Sequence, residues 1–530
     1  MSPSSPSAPV RLVRAASLMA GATVVSRALG LVREVVTAWL FGASDAKAAY
    51  VVAYSVPFFI QRLLLGGTLS IVFIPTLSRL LAQDEAEARR VAGITLTVVA
   101  AGGVALAVAG QALAPVLVAL AAPGFARAPA LLDLAVDLTR IIFVAMLFLA
   151  LAIYLTGFLQ AHQRFAPPAL APLVFNGVII VGTLTLGPRV GIRGLALSWV
   201  LGTAAQMLVQ WWPARRLGLR PVGMDLRHPA IREMARLAVP AMLGLAVVEV
   251  NAYVDRFFAS LLPAAPTVHP VAALDYAYEI VQAPAGIFAI SVATAAFPAL
   301  ARHAAAGDRA DLRATFSLAL RSLMVVILPV AALAVALREP LVRIIFQRGE
   351  FGPHATQAVA GALAGYAVGL PAIAGYYVVT RTLYALQDMA TPVRTGVAMI
   401  ALNAVLDVVF MRWWGVVGIA AATSVVAVVN LALMLAALRG HLGRLDGRRI
   451  LATAGRAALA AALGGGVMVP VAGTAGSSGP VSAGAAALAA ACGLAAYVGV
   501  CRVLRVAELG LVVALLRGRP APGGGGDRLR

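Results

Sequence analysis

The chain has 530 residues, 61% hydrophobic and 12% charged, with a mean hydropathy of +0.91. Soluble domains are nearer 45–50% apolar with about 25% charged residues, so a soluble fold is excluded and an all-α polytopic membrane protein is expected. The net charge of +20 is carried almost wholly by arginines lying mainly between apolar runs, which fits loop charge at a membrane face better than nucleic-acid binding.

Fourteen apolar segments follow in order: 14–41, 48–81, 91–121, 132–160, 167–187, 193–212, 234–262, 272–301, 313–337, 355–386, 394–412, 416–438, 449–470 and 482–516. Residues 1–13 form an N-terminal tail, and Arg11 and Arg14 lead into a first segment broken by arginines, so an uncleaved anchor is expected there. Alternate loops differ in charge. One set holds Arg79, Arg89, Arg90, Arg215, Arg216, Arg220 and Arg227, whereas the other holds few basic residues, among them Lys47 and Arg127. That bias and the even number of spans place both termini in the cytoplasm. The glycine-rich tail 517–530 reads as disordered. Cys492 and Cys501 offer neither a disulfide framework nor metal-ligand spacing.

An internal repeat is visible. Pro75-Thr76-Leu77-Ser78-Arg79 recurs as Pro298-Ala299-Leu300-Ala301-Arg302, Gln163 and Pro168 recur as Gln387 and Pro392, and Gly191 and Gly194 recur as Gly415 and Gly418. The displacement is constant at about 224 residues, and six spans per repeat make the repeats parallel. The expected architecture is an N-lobe over 14–220 (helices 1–6), a C-lobe over 221–440 (helices 7–12) and two further helices over 441–516, with a cleft between lobes suited to alternating access.

Charges inside the spans point to function. Arg27 lies thirteen residues past Arg14, roughly 20 Å along a helix, too deep to snorkel comfortably. Arg33 shares its segment, and Arg62 follows on the second, between Pro57 and Gly66-Gly67. Ionised groups at such depth cost about 2.5–3.5 kcal/mol or more and usually face a partner or water. Three guanidiniums together would bind an anion, phosphate above all, because the planar fork donates paired hydrogen bonds and stays charged. The alternative is structural: Arg33 paired with Glu34, and Arg62 capping a helix. The second half carries Glu249, Asp255, Arg256, Asp275 and Glu279, open between a neutralised Asp255–Arg256 pair and a cation or proton site. Asp407 reads as near a membrane face. Tyr276, Tyr278, Tyr376, Tyr377 and Tyr384 suit either a sugar-binding surface or the core and interfacial belt, and the six histidines fall in or near loops without forming a metal cluster. With no Walker or nucleophile-elbow motif, an enzyme is not expected; no cofactor is expected either, and transport would draw on an ion gradient, the membrane potential or the substrate gradient.

Ser26-Arg27-Ala28-Leu29-Gly30-Leu31-Val32-Arg33-Glu34 with Leu40-Phe41-Gly42-Ala43 resembles the first helix of MurJ/MviN-type lipid II flippases, of the multidrug/oligosaccharidyl-lipid/polysaccharide exporter superfamily. Phe73-Ile74-Pro75-Thr76-Leu77, Gln282-Ala283-Pro284-Ala285-Gly286-Ile287-Phe288, Arg348-Gly349-Glu350-Phe351 and Tyr384-Ala385-Leu386-Gln387-Asp388 resemble later motifs of the family. The resemblance implies movement of undecaprenyl-pyrophosphate-linked peptidoglycan precursor from the cytoplasmic to the periplasmic leaflet. It also implies pyrophosphate binding by Arg27, Arg33 and Arg62; Glu34, Asp255, Arg256 and Glu279 stand as candidate cleft or coupling residues on their charge within the spans. Membrane lipids, the lipid-linked glycan and the cell-wall synthesis machinery are the implied partners. The family usually has an acid where Ala48 stands, an acid where Gly66 stands and an arginine where Glu279 stands. A flippase for another polyprenyl-linked polysaccharide, a drug exporter of the superfamily and a transport-dead cell-wall scaffold are the alternatives.

Overall fold

The computed structural model describes residues 8–63, 72–473 and 480–510; the expected disordered tail and Gly66-Gly67 lie outside them. The first nine helices are α1 (Ala8–Phe41), α2 (Asp45–Leu63), α3 (Ile74–Gln83), α4 (Glu85–Ala121), α5 (Pro129–Phe143), α6 (Ala145–Ala161), α7 (Ala166–Val190), α8 (Ile192–Arg216) and α9 (Pro229–Leu261). Then come α10 (Pro270–Pro284), α11 (Ile290–Ala305), α12 (Arg309–Ala336), α13 (Arg338–Phe346), α14 (Pro353–Ala385), α15 (Ala390–Leu442), α16 (Gly447–Gly473) and α17 (Pro480–Val503). Among the described residues the expected apolar segments lie on helix apart from their ends, and ten helical stretches, with α5–α6 and α10–α11 each counted as one, are long and apolar enough to cross a bilayer. The fourth segment is two helices, α5 and α6, divided at Val144, and α15 holds two segments joined through a non-helical Gly415.

The chain forms two compact units. The first runs to Ala272 and includes Arg348–Gly352; the second comprises Ala273–Gln347 and the chain from Pro353. In the first unit, α7 and α8 pack through small residues: a side chain at Gly194 would strike the Leu186 backbone at 2.7 Å, and one at Gly182 the Ser198 hydroxyl at 2.4 Å. Small residues let membrane helices approach closely where no hydrophobic drive separates helix from lipid. The Arg348–Gly352 segment seats on the end of α1, where the Glu350 N–H donates to the Trp39 carbonyl at 3.0 Å. Gly42 and Gly349 make this approach feasible. Both are left-handed, at φ 58° and 57°, and a Cβ would lie 2.5 Å from the Glu350 carbonyl oxygen and 2.3 Å from that of Trp39, respectively.

In the second unit α14 meets α15 along Gly361, Gly365 and Gly369, one residue per turn facing Val417, Ala420 and Ser424. The Ser424 hydroxyl donates to the Gly365 carbonyl at 2.5 Å and accepts the Gly369 N–H at 2.9 Å, so this polar group is satisfied within the contact. The loop before α15 is held by Asp388, which accepts the Thr391 N–H at 2.9 Å and the Thr391 hydroxyl at 2.6 Å. His441, at the far end of α15, reaches the same carboxylate at 2.9 Å. Desolvation works against the charge, yet these contacts outweigh it and hold the carboxyl at about 2.

The repeat is written in the backbone. Gln163 and Gln387, neither a glycine, both adopt left-handed φ, 58° and 61°. Gly191 and Gly415 do likewise, at 64° and 54°. Asp84 and Asp308 each cap a helix, α4 and α12, by accepting two N–H groups of the first turn. Each pair is separated by the displacement seen in the sequence.

Candidate functional site

α1 carries Ser26, Arg27, Arg33 and Glu34. Ser26 and Arg33 are seven residues apart, roughly two turns, and so share a face. That face meets α7: the Arg33 Nη1 donates to Asn176 Oδ1 at 3.3 Å, and the Asn176 amide donates to the Ser26 hydroxyl at 3.4 Å and to the Pro172 carbonyl at 3.0 Å. The Arg33 guanidinium also donates through Nη2 and Nε to Glu34 Oε1, at 3.0 and 3.3 Å. Its plane is thereby fixed by two partners on different helices. Arg27, six residues earlier, is exposed and points to another azimuth of α1.

Lys47, which the sequence reading counted only as loop charge, belongs to this cluster. It lies in the first turn of α2, is 1% exposed, and its Nζ sits 3.0 Å from Glu34 Oε2. Glu34 is thus shared by two cations and is itself buried. Burial of a lysine without such a partner would force its neutral form.

From Lys47 an aromatic stripe runs along α2 at helical spacing. The ammonium stands 5.8 Å from the Tyr50 ring centroid, Tyr50 packs on Tyr54 at 5.3 Å, Tyr54 on Phe58 at 6.2 Å, and the exposed Arg62 lies 4.7 Å over Phe58. α9 closes on this stripe. Arg256 donates to the Ser55 hydroxyl at 3.1 Å and to the Tyr54 hydroxyl at 3.5 Å, and lies over the Tyr54 and Tyr253 rings. The Tyr253 hydroxyl donates to the Ser55 carbonyl at 2.9 Å. Asp255, its neighbour, is buried.

The first unit therefore holds Arg27, Arg33, Glu34, Arg62, Asp255 and Arg256, whereas Glu279, exposed on α10, belongs to the second. The side chain of Glu249 lies outside the described residues. Asp407 departs from expectation: it is fully buried, accepting the Asn403 amide at 3.0 Å, because α15 continues for about two turns past it before the bend at Gly415. Tyr276 is also fully buried, against Phe346, which makes it a core residue. His303 stands near the end of α11 with Asp308 and Asp311, their ligand atoms within 4.8 Å of one another; Asp308 already serves as the cap of α12.

Chemically, the arrangement offers cationic forks: Arg33 is held by the Glu34 carboxylate and the Asn176 amide, and Arg256 by hydroxyl and aromatic partners. Such groups bind a diphosphate well, because they are charged at any physiological pH and already oriented.

A family model described as "Lipid II flippase MurJ" matches residues 37–500. A lipid II flippase MurJ of Burkholderia cenocepacia is 28% identical over 438 residues, covering 81% of this chain and 84% of its own. A probable lipid II flippase MurJ of Vibrio cholerae is 29% identical over 436 residues, covering 80% and 82%. Among solved structures, a lipid II flippase MurJ in an inward closed conformation superposes with a TM-score of 0.77 at 22% identity, covering 92% of this chain and 98% of that one. An inward-facing multidrug resistance transporter of the MATE family gives 0.65 at 15% identity, covering 80% and 96%. With a family match over most of its length and the same fold, the chain belongs to the lipid II flippase MurJ family.

Proposed function

We propose that this chain is a lipid II flippase, carrying undecaprenyl-pyrophosphate-linked peptidoglycan precursor from the cytoplasmic to the periplasmic leaflet of a bacterial inner membrane, with both termini cytoplasmic. It is a transporter and not an enzyme. The family membership carries this reading, and the arginines of the first unit supply its chemistry. A pyrophosphate-sugar head group cannot enter hydrocarbon unaided, because unpaired charge there is prohibitively costly. Arg27, Arg33 and Arg62 would hold the diphosphate while the polyprenyl chain stays in lipid, and the repeats 14–220 and 221–440 would alternate access to the two leaflets. Arg256 adds a further cation beside α2, and Glu34 orients Arg33.

Energy is proposed to come from an ion gradient or the membrane potential. The enzymes that build and consume lipid II are the proposed protein partners, since they handle the same molecule on either side.

The test is replacement. A host depleted of its own lipid II flippase and expressing this chain should grow, and lipid II should reach the outer leaflet. A correctly inserted chain that supports neither would overturn the reading.

A further inference from the structure

The chain between α8 and α9 packs along α4. The Val222 N–H donates to the Gly93 carbonyl at 3.4 Å, and the Thr97 hydroxyl donates to the Val222 carbonyl at 2.6 Å. A Cβ at Gly93 would lie 2.5 Å from a Val222 methyl, so the absence of a side chain there admits the loop. Gly93 and Thr97 stand eight and twelve residues into α4, roughly 12 and 18 Å from its first residue. The apolar run of α4 begins at Val91, so the apex of the loop lies level with the start of the membrane-spanning stretch. α8 gives the same level independently: its apolar run ends at Trp212, and the helix ends at Arg216.

The side chains at that level suit a membrane–water boundary. Val222, Met224 and Leu226 are 41%, 53% and 57% exposed, although each is large and apolar. Water penalises such exposure, whereas the upper methylenes of a leaflet relieve it. Arg215, Arg216, Arg220 and Arg227 are exposed too, and among the described residues none of the four guanidiniums has an acidic partner. Arg215 and Arg216 lie instead over Trp211 and Trp212, at 6.0 and 5.0 Å from the ring centroids. The one acid of residues 215–227, Asp225, turns the backbone by accepting the Arg227 N–H at 3.0 Å. The stretch thus carries a net charge of +3 beside bare apolar side chains. Loop charge that only oriented the chain would need no apolar face, and an acidic protein surface could not follow the loop down to the start of the span.

We propose that residues 215–227 form a binding surface for anionic phospholipid, with the guanidiniums on headgroup phosphates and Val222, Met224 and Leu226 among the first acyl methylenes. The surface ties the first unit to the leaflet at the ends of α4 and α8. It concerns the lipid that surrounds the chain, whereas the arginines of α1 and α2 concern the lipid that the chain moves.

The test uses the full chain in detergent with equimolar phosphatidylglycerol and phosphatidylcholine, and native mass spectrometry counts each lipid retained. The parent should retain phosphatidylglycerol preferentially. Arg216→Gln, Arg220→Gln and Arg227→Gln together should reduce that preference about tenfold. The same three positions changed to lysine should keep it within about twofold, because charge is conserved. Arg302→Gln, Arg309→Gln and Arg439→Gln together, at exposed positions of the second unit, should also leave it within about twofold. Thermal unfolding of every variant should match the parent, since the substituted side chains are exposed. No preference in the parent, an equal loss from the second-unit set, or an unchanged preference in the first-unit glutamine set would overturn the inference. Displacement of phosphatidylglycerol by inorganic phosphate would also overturn it, marking a site for a small anion.

Discussion

Arg33 Nη1 donates to Asn176 Oδ1 at 3.3 Å, across 143 residues of sequence. This contact ties α1 to α7 and fixes the edge of the guanidinium that Glu34 does not hold. Asn176→Ala should cost roughly 1–2 kcal/mol of stability and lower transport severalfold, because the fork loses its second anchor. Asn176→Asp should lower diphosphate binding further than Asn176→Ala despite its closer shape, since it adds a negative charge to Arg33. Binding of undecaprenyl pyrophosphate to the two variants checks the order.

Arg27 is exposed on α1, in an otherwise apolar stretch. Arg27→Ala should abolish growth of the depleted host. Arg27→Lys should restore it only in part, because an ammonium keeps the charge and loses the two-pronged geometry. Growth rates of the two strains, with equal protein in the membrane, decide the matter.

His269, in the loop before α10, is 3% exposed, and its Nδ1 accepts the Val271 N–H at 3.2 Å. That acceptor exists only in the neutral ring. Burial lowers the pKa to about 4, with Asp45 offsetting part of the effect. A histidine depressed in the folded state contributes stability fully above its unfolded value of about 6.5, and that contribution is lost as pH falls from there to about 4. The loss amounts to about 3 kcal/mol. His269→Asn keeps an acceptor and removes the titration. Thermal midpoints between pH 7 and pH 4 should therefore fall less for the variant than for the parent.

Gly349 is left-handed, and a Cβ there would lie 2.3 Å from the Trp39 carbonyl oxygen. Gly349→Ala should destabilise by about 1–3 kcal/mol, combining backbone strain with displacement of the Arg348–Gly352 segment from α1. A matched Gly352→Ala, where nothing stands within 4 Å, should be nearly neutral. The difference in unfolding midpoint between the two is the readout.

The fold was legible because apolar runs in a bilayer leave few alternatives to helix, and the repeat survives at positions with special backbone needs. Gln163 and Gln387 match in sequence because both occupy the same left-handed turn. The arginines stood out because charge in an apolar run is costly. Lys47 did not, since it lies near Asp45 at the head of α2 and reads as loop charge until the helix is folded against Glu34. Asn176 carries no charge, and its partner is 143 residues away; a lone amide in an apolar span was the available signal. Asp407 was misplaced because the apolar run seemed to end close by, whereas α15 continues to Gly415 and beyond.

The most direct measurement is translocation itself. Purified chain is reconstituted into vesicles with labelled lipid II, and an externally added enzyme that cleaves only the outer leaflet's head groups reports the fraction moved. Vesicles with the parent chain should expose lipid II from the inner leaflet, and vesicles with Arg33→Ala should match protein-free ones. Equal exposure by Arg33→Ala and parent, or none by either in an energised vesicle, would contradict an arginine-held diphosphate as the basis of transport.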